Sequence, residues 1–506
     1  MKKTNNQLKS GIILSYISTA LTIGIQLIFM PVMIRLLGKS EYGLYSLVSS
    51  VVSYLSLFSL GFTGAYVRFF AKFYNNKDKL ASLNGMFLTL FSILAVIAAI
   101  CGIILSFFPE QIFGSKLADT ELSKARILML ILVMNIAITL ISSIFDSIIN
   151  AYEKFVFQRM VGIVATIVNP FICLPLLLMG YGSIMLVVVT TGVTFARFAV
   201  NGWFCICKLQ IPISFRGFQW VLLKEIAIFS SFLFINMVID QINWNVDKLI
   251  LGHTRGTEEI AVYGVASQIN SLFLTFSTTI SSVFVPRVNH IAVQNEEKYQ
   301  TEYTRLMAKI GRIQWMILGL ITAGFIVFGK YFIVNIYAGE GYEDAYTVAL
   351  FLVIPVLIPL IQNIGIEMQR ALNKHQFRSV IYLIISIMNV AISIPLAHKW
   401  GAIGSAMGTA FSLLIGNGLI MNLYYHKALH INMIFFWRQI VKTWKGFLIP
   451  IVLAIFLLRR VTFDDPIRFF INIIVYIVVY CISIFGFSCN EDEKTMILNL
   501  IKRNKR

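Results

Sequence analysis

Long apolar runs, separated by short polar or charged stretches, recur along almost the whole of the 506-residue chain. A helix that crosses a bilayer needs about 20 mainly apolar residues. On that measure fourteen segments qualify, at 11–37, 41–70, 80–107, 126–150, 156–180, 183–208, 225–251, 258–285, 306–329, 344–371, 377–397, 402–425, 439–458 and 467–488. Taken in order these are spans 1 to 14, and the pattern predicts an all-α polytopic membrane protein. The longest connections, 108–124 and 287–305, are too short to fold alone. The first apolar run follows MKKTNNQLKS and extends to Leu37 without a small-residue cleavage site, so it reads as a span rather than a signal peptide.

Span 7 departs from the pattern. Between IAIFSSFLFI and LIL lies NMVIDQINWNVDK, which carries Asn236, Asp240, Gln241, Asn243, Asn245, Asp247 and Lys248. An ionised side chain at the centre of a membrane helix costs at least about 2.5–3.5 kcal/mol on insertion scales, so such residues face other helices or a water-filled cavity. Two readings follow, the wall of a polar pathway or hydrogen-bond glue between helices. The density of polar groups favours the pathway.

Composition agrees with the span count. Apolar residues make up 58% and charged residues 13%, where soluble proteins carry about 25% charged residues. The net charge of +18 could suggest a nucleic-acid partner, but its distribution points elsewhere. If the N-terminus lies inside, 29 of the 42 Lys and Arg fall at inner ends and loops, 12 at outer ends, and Arg197 within span 6. That excess is the positive-inside signature, with both termini cytoplasmic in the plasma membrane and an attraction to anionic inner-leaflet lipids. No nucleic-acid module is expected. The six cysteines show neither CxxC nor Cys/His ligand spacing, so no metal site, cofactor or disulfide framework is expected.

An internal repeat organises the spans. Ala151, Lys154, Phe157, Asn169 and Pro175-Leu176 recur as Ala371, Lys374, Phe377, Asn389 and Pro395-Leu396, each 220 residues later. A looser match sets Glu41, Tyr45 and Ser49 against Glu259, Tyr263 and Ser267 at an offset of 218. These offsets lay spans 1–6 over spans 7–12. Equivalent helices are an even number of spans apart, so the halves form a parallel repeat with a pathway between them. The expected division is a lobe at 1–215, a second at 216–430, two additional helices at 431–490 and a cytoplasmic tail at 491–506.

Polar residues concentrate at matching repeat positions. Span 1 carries Gln26 among several hydroxyls, span 2 is serine-rich, and span 8 carries Gln268 and Asn270. Spans 3, 13 and 14 are nearly featureless and are expected to face lipid. Small hydroxyl residues also permit close packing, but four polar helices in corresponding places fit a cavity better. Ionisable residues within spans are few: Arg197 and Asp240 near the midplane, Asp247 and Lys248 nearer the outside, Asp146 and Glu367 towards inner ends. Arg35 and Arg68 lie near span ends, where snorkelling to the interface is an alternative reading, and Lys248 could serve to neutralise Asp247. Arginine suits phosphate because its planar fork binds oxygens bidentately and stays charged.

Three stretches carry a resemblance: PVMIRLLGKSEYGLYSL at 31–47, GFTGAYVRFFAKF at 61–73 and VDKLILGH at 246–253. In their order, with the span count and repeat, the chain resembles the polysaccharide biosynthesis flippases, the O-antigen and capsule repeat-unit translocases of the multidrug/oligosaccharidyl-lipid/polysaccharide exporter superfamily. The resemblance implies a two-lobed bundle whose spans 1, 2, 7 and 8 line a cavity. The implied partner is an undecaprenyl-pyrophosphate-linked oligosaccharide, moved from the inner to the outer leaflet by alternating access, with other polysaccharide assembly proteins as further partners. Arg35, Arg68 and Asp247–Lys248 match family motif positions. Spans 13 and 14 would hold a lipid tail, and the available carboxylates for coupling to H+ or Na+ are Asp240, Asp247 and Glu367.

Rival readings are a drug/cation antiporter of the same fold, a lipid II or spore-envelope flippase, and a membrane glycosyltransferase, polymerase or ligase. Arg197 at mid-membrane disfavours the antiporter, which suits carboxylates and aromatics. The enzyme reading lacks a loop with an acid–base or metal-ligand constellation, so no catalytic residue is expected.

Overall fold

A computed structural model describes residues 2–114, 116–215, 220–292, 296–372, 374, 376–460 and 465–495. Among these every regular element is helical. Twelve helical segments are long and apolar enough to cross a membrane. One of them, Gln376–Lys427, holds two crossings, because Trp400 (φ −124°) and Gly401 (φ 57°) interrupt the helix. Trp220–Thr254 is a further helix of 35 residues, long enough to cross. With these two counted, all fourteen spans have a helical counterpart among the described residues, and the chain is a multi-pass membrane protein.

Two spans are broken inside. Span 2 consists of Lys39–Ser53, a 3-10 turn Tyr54–Ser59, and Phe62–Phe73. Serine hydroxyls turn back on the backbone there: Ser53 Oγ donates to Ser50 O at 2.6 Å, and Ser56 Oγ to Ser53 O at 2.6 Å. Such bonds compete with the helical ladder, and left-handed Leu60 (φ 49°) and Gly61 (φ 70°) end the turn. Span 10 breaks between Glu343–Ile361 and Ile364–Ala371, shortly after Pro355 and Pro359 have each removed a ladder donor. Irregular backbone at membrane depth is tolerated only where protein or water covers it.

The repeat is written into side-chain contacts. Phe157 stacks on Phe204 with centroids 3.7 Å apart, and Phe377 stacks on Tyr424 at 4.3 Å. Both partners are displaced by 220 residues. Asn169 Oδ1 accepts from Thr190 Oγ1 and Cys173 Sγ, while Asn389 Oδ1 accepts from Thr409 Oγ1 and Ser393 Oγ. Even the backbone after spans 6 and 12 repeats, with Gln210 at φ 47° and His430 at φ 53°.

The chain resolves into two compact units, Met1–Gly264 with Ile394–Ser405, and Val265–Ser393 with Ala406–Arg506. In the first, the second half of span 2, Phe62–Phe73, interlocks with spans 3 and 4. Tyr66, Phe70, Phe87 and Ile148 are all buried there, Tyr66 lying edge-on to Phe87 at 5.2 Å. Lipid is as apolar as these rings, so shape and polar satisfaction hold the helices together rather than escape from water. The Tyr66 hydroxyl accordingly donates to Asn84 Oδ1 at 2.7 Å, and Asn84 Nδ2 to Pro212 O at 2.8 Å.

In the second unit, spans 13 and 14 are not uniform. Ile467, Ile471, Ile474 and Ile482 are exposed, but Phe469, Tyr476 and Tyr480 pack on Val327 and Phe328 of span 9. The start of span 13 and the end of span 14 are clasped by Arg312. It donates Nε and Nη2 to the Glu493 carboxylate at 2.8 and 2.9 Å, Nη1 to Gln439 O at 3.0 Å and Nη2 to Ser488 O at 2.8 Å.

Candidate functional site

The break in span 2 meets the polar run of span 7. Ser53 Oγ donates to Gln241 Oε1 at 3.1 Å, Gln241 Nε2 to Ser56 Oγ at 3.2 Å, and the Tyr54 hydroxyl to Gln241 O at 3.3 Å. Asn245, one helical turn on, donates to the same Gln241 oxygen at 2.6 Å. These groups are half-buried, not sealed. The result is a seam of hydroxyls and carboxamides at membrane depth, able to exchange its partners with a polyhydroxylated ligand or with water.

Asp247 lies two turns further along and is fully buried. Its Oδ2 accepts from the Tyr263 hydroxyl at 2.7 Å and its Oδ1 from Ser405 Oγ at 2.6 Å, so spans 7, 8 and 12 meet on one carboxylate. A buried carboxylate demands such donors. Lys248 points to a different side of the helix, since consecutive residues are about 100° apart, and is partly buried.

Arg197 sits beside an acid. Its Nη2 donates to both oxygens of Asp146, at 3.1 and 3.0 Å, and Asn201 Nδ2 and Gln158 Nε2 donate to Asp146 Oδ1 at 3.0 and 3.4 Å. The arginine side chain is 40% exposed against 22% for the aspartate. Span spacing alone could not reveal this pairing.

Among the remaining predicted residues, Arg35 ends the first helix and Arg68 lies in Phe62–Phe73, both exposed. Gln26, Asn236 and Asn243 are half-buried and Asp240 is exposed. In the second unit, Asn270 is buried, Gln268 is half-buried, and Glu367 accepts from Arg370 Nη1 at 2.8 Å. Among the described residues no three His, Cys, Asp or Glu gather as metal ligands.

Near their first residues, spans 2 and 8 cross at close range within the first unit. A Cβ on Gly43 would lie 1.9 Å from Thr257 O, and one on Gly264 would lie 3.1 Å from Ser46 Oγ. Small residues let the two backbones touch. Beside this crossing Thr257 Oγ1 donates to Glu121 Oε1 at 2.9 Å, and Lys39 Nζ stands 3.6 Å from Glu258. A pocket of about 430 Å³ opens next to it, bordered by Lys39, Glu41, Glu121 and Lys124. Sequence reasoning missed Tyr54, Asn201, Ser405 and the Gly43 contact. Tyr54 and Gly43 lie within Ser- and Gly-containing stretches that could have flagged them, whereas nothing in the sequence links Asn201 or Ser405 to an acid.

The fold and this polar interior define a class, multi-pass membrane proteins with the helical arrangement of lipid flippases and drug transporters. The structure is similar to that of the lipid II flippase MurJ in an inward closed conformation, with a TM-score of 0.72 at 18% identity, covering 93% of this chain and 97% of that one. It is also similar to an inward-facing multidrug resistance MATE family transporter, with a TM-score of 0.61 at 14% identity, covering 79% of this chain and 96% of that one. A Shigella flexneri protein named "Putative O-antigen transporter" is 21% identical over 398 residues, 77% of this chain and 91% of that protein. Residues 32–315 match the family described as polysaccharide biosynthesis protein. The chain belongs to that polysaccharide biosynthesis protein family.

Proposed function

We propose that the protein is a flippase that carries an undecaprenyl-pyrophosphate-linked oligosaccharide from the inner to the outer leaflet of the cytoplasmic membrane for surface polysaccharide assembly. The family match over 32–315, which takes in spans 2 to 8, is the observation that carries this reading. The chemistry supports it. A sugar–pyrophosphate head stripped of water cannot cross hydrocarbon, and the Ser53–Ser56–Gln241–Asn245 seam offers hydroxyls and carboxamides in place of that water. Arg35, Arg68 and Lys248 are candidate partners for the pyrophosphate. Arg197, beside Asp146 and 40% exposed, is a fourth candidate.

Alternating access is the mechanism this arrangement favours. The lobes 1–215 and 216–430 would part at the Gly43–Thr257 crossing, with both termini cytoplasmic and anionic lipids around the basic inner face. Asp240, Asp247 and Glu367 are the carboxylates available for coupling to H+ or Na+. The exposed isoleucine face of span 14 suits a lipid tail. The chemistry is transport rather than catalysis, in concert with other polysaccharide assembly proteins.

A second reading, a lipid II or spore-envelope flippase, draws support from the similarity to MurJ, and the MATE neighbours keep a drug/cation antiporter in view. A deletion strain separates the three. Loss of surface polymer with lipid-linked repeat units accumulating inside supports the first. Normal polymer with changed resistance to cationic drugs supports the antiporter. Defective peptidoglycan or spore envelope supports the lipid II type. Export that survives alanine at Arg35, Arg68 and Arg197 together would remove the proposed pyrophosphate site.

A further inference from the structure

Two glutamates occupy corresponding places in the repeat, Glu41 at the start of span 2 and Glu259 at the start of span 8. Glu41 Oε1 accepts from Ser183 N at 2.7 Å and from Ser183 Oγ at 2.8 Å. Glu259 Oε2 accepts from Ala402 N at 2.7 Å. Ser183 and Ala402 open spans 6 and 12, and each follows a left-handed glycine, Gly182 (φ 68°) and Gly401 (φ 57°). The surrounding residues match at an offset of 219, Tyr181-Gly182-Ser183-Ile184 against Trp400-Gly401-Ala402-Ile403. A Cβ on Gly182 would meet Glu41 Oε1 at 2.5 Å, and one on Gly401 would meet Glu259 Oε2 at 2.6 Å. The same three parts are therefore built twice: a carboxylate, a glycine that leaves it room, and the first amides of another span.

The chemistry explains the pairing. The first amides of a helix have no intrahelical acceptor and carry the positive end of its dipole. A carboxylate answers both needs. Each half then adds its own cation. Lys124, near the start of span 4, lies 3.2 Å from Glu41 Oε2. Arg255, one turn before Glu259, donates Nε to Ala397 O at 3.3 Å and Nη2 to His398 O at 2.5 Å, near the end of span 11. The hairpin between spans 11 and 12 is thus gripped at its carbonyl end by Arg255 and at its amide end by Glu259.

We propose that Glu41 and Glu259 are paired latches, fastening span 2 to span 6 and span 8 to span 12 so that each pair moves as one piece when the protein opens. They are positioning residues and touch no substrate. Their part in transport rests on the flippase reading; the latches themselves do not.

Distances between spin labels on the full chain in lipid nanodiscs test this directly, with one label pair at Ser40 and Tyr181 and another at Glu258 and Trp400. The unsubstituted latch and Glu41→Gln, which keeps an acceptor oxygen, should give one narrow distance for the first pair. Glu41→Ala should broaden or lengthen it while leaving the second pair unchanged. Gly182→Ala should do the same by expelling the carboxylate, and provides a second route if Glu41→Ala does not fold. Glu259→Ala and Gly401→Ala should affect only the second pair. Polymer export should fall at least about tenfold in both glutamate-to-alanine variants, the change expected from losing a charge-assisted hydrogen bond, with recovery in the glutamine variants. Unchanged distances in Glu41→Ala and Gly182→Ala would overturn the latch. Released distances with undiminished export would overturn its role in transport. Latched distances in a protein whose deletion spares the polymer would count against the flippase reading instead.

Discussion

One methyl group at Gly43 should force open the end of the protein where spans 2 and 8 cross. The added Cβ would sit 1.9 Å from Thr257 O, 2.7 Å from the carbonyl carbon and 3.3 Å from Ala261 N. Ordinary contact needs about 3.5 Å, so the two backbones must separate by roughly 1.5 Å. The obstacle is main chain and cannot rotate aside. Overpacking of this kind costs about 1–3 kcal/mol, which shifts the closed-to-open ratio by about 5- to 150-fold. Ser46 lies on the same crossing and is 6% exposed. In a background without the six native cysteines, Ser46→Cys should react slowly with a membrane-impermeant thiol reagent. Adding Gly43→Ala should raise that rate by a factor within the stated range. A rate that stays low in folded Gly43→Ala protein would refute the idea that this crossing is the closure.

Three further outcomes follow from the side chains. Arg312 and Glu493 are 6% and 4% exposed, so Arg312→Met alone strands a buried carboxylate and should cost about 3–5 kcal/mol. Thermal unfolding in detergent should show most of that loss recovered when Glu493→Met is added. Asp146→Asn removes the carboxylate bonded to Arg197 and should cost about 1.5–3 kcal/mol, the worth of a hydrogen bond to a charged group; thermal unfolding in detergent reads that loss, and export per folded protein should fall as well. Gln241→Leu cuts the bonds to Ser53, Ser56 and Asn245, each worth about 0.6 kcal/mol in a membrane. It should lower export with the protein still folded, as read by surface polymer and by gel filtration.

The membrane class, the fourteen spans and the 220-residue repeat were legible in the sequence because each rests on a signal summed over many residues. Phe157 and Phe377 matched in the alignment, and their stacking partners Phe204 and Tyr424 then fell at the same offset. Pairings between spans were not legible. Arg197 stood out as a mid-membrane charge and Asp146 as an inner-end acid, but no periodicity says that one helix turns its arginine towards the other. The break in span 2 was hidden for a different reason: it needs a left-handed Leu60, a conformation that a leucine side chain does not advertise. Glu41 and Glu259 were visible as a repeat match, yet each is held by the backbone amide of another span, which leaves no trace in a sequence except Gly182 and Gly401.

Whether a lipid-linked oligosaccharide crosses the bilayer is read by following the leaflet of that lipid. In proteoliposomes containing the purified protein and an undecaprenyl-pyrophosphate-linked oligosaccharide, the sugar on one leaflet is made accessible to an added glycosidase over time. Accessibility should spread to the protected half only with the protein present, and slowly with Arg35→Ala, Arg68→Ala and Arg197→Ala combined. A protected half that remains protected in the presence of folded protein, with a supplied H+ or Na+ gradient, would overturn the flippase reading.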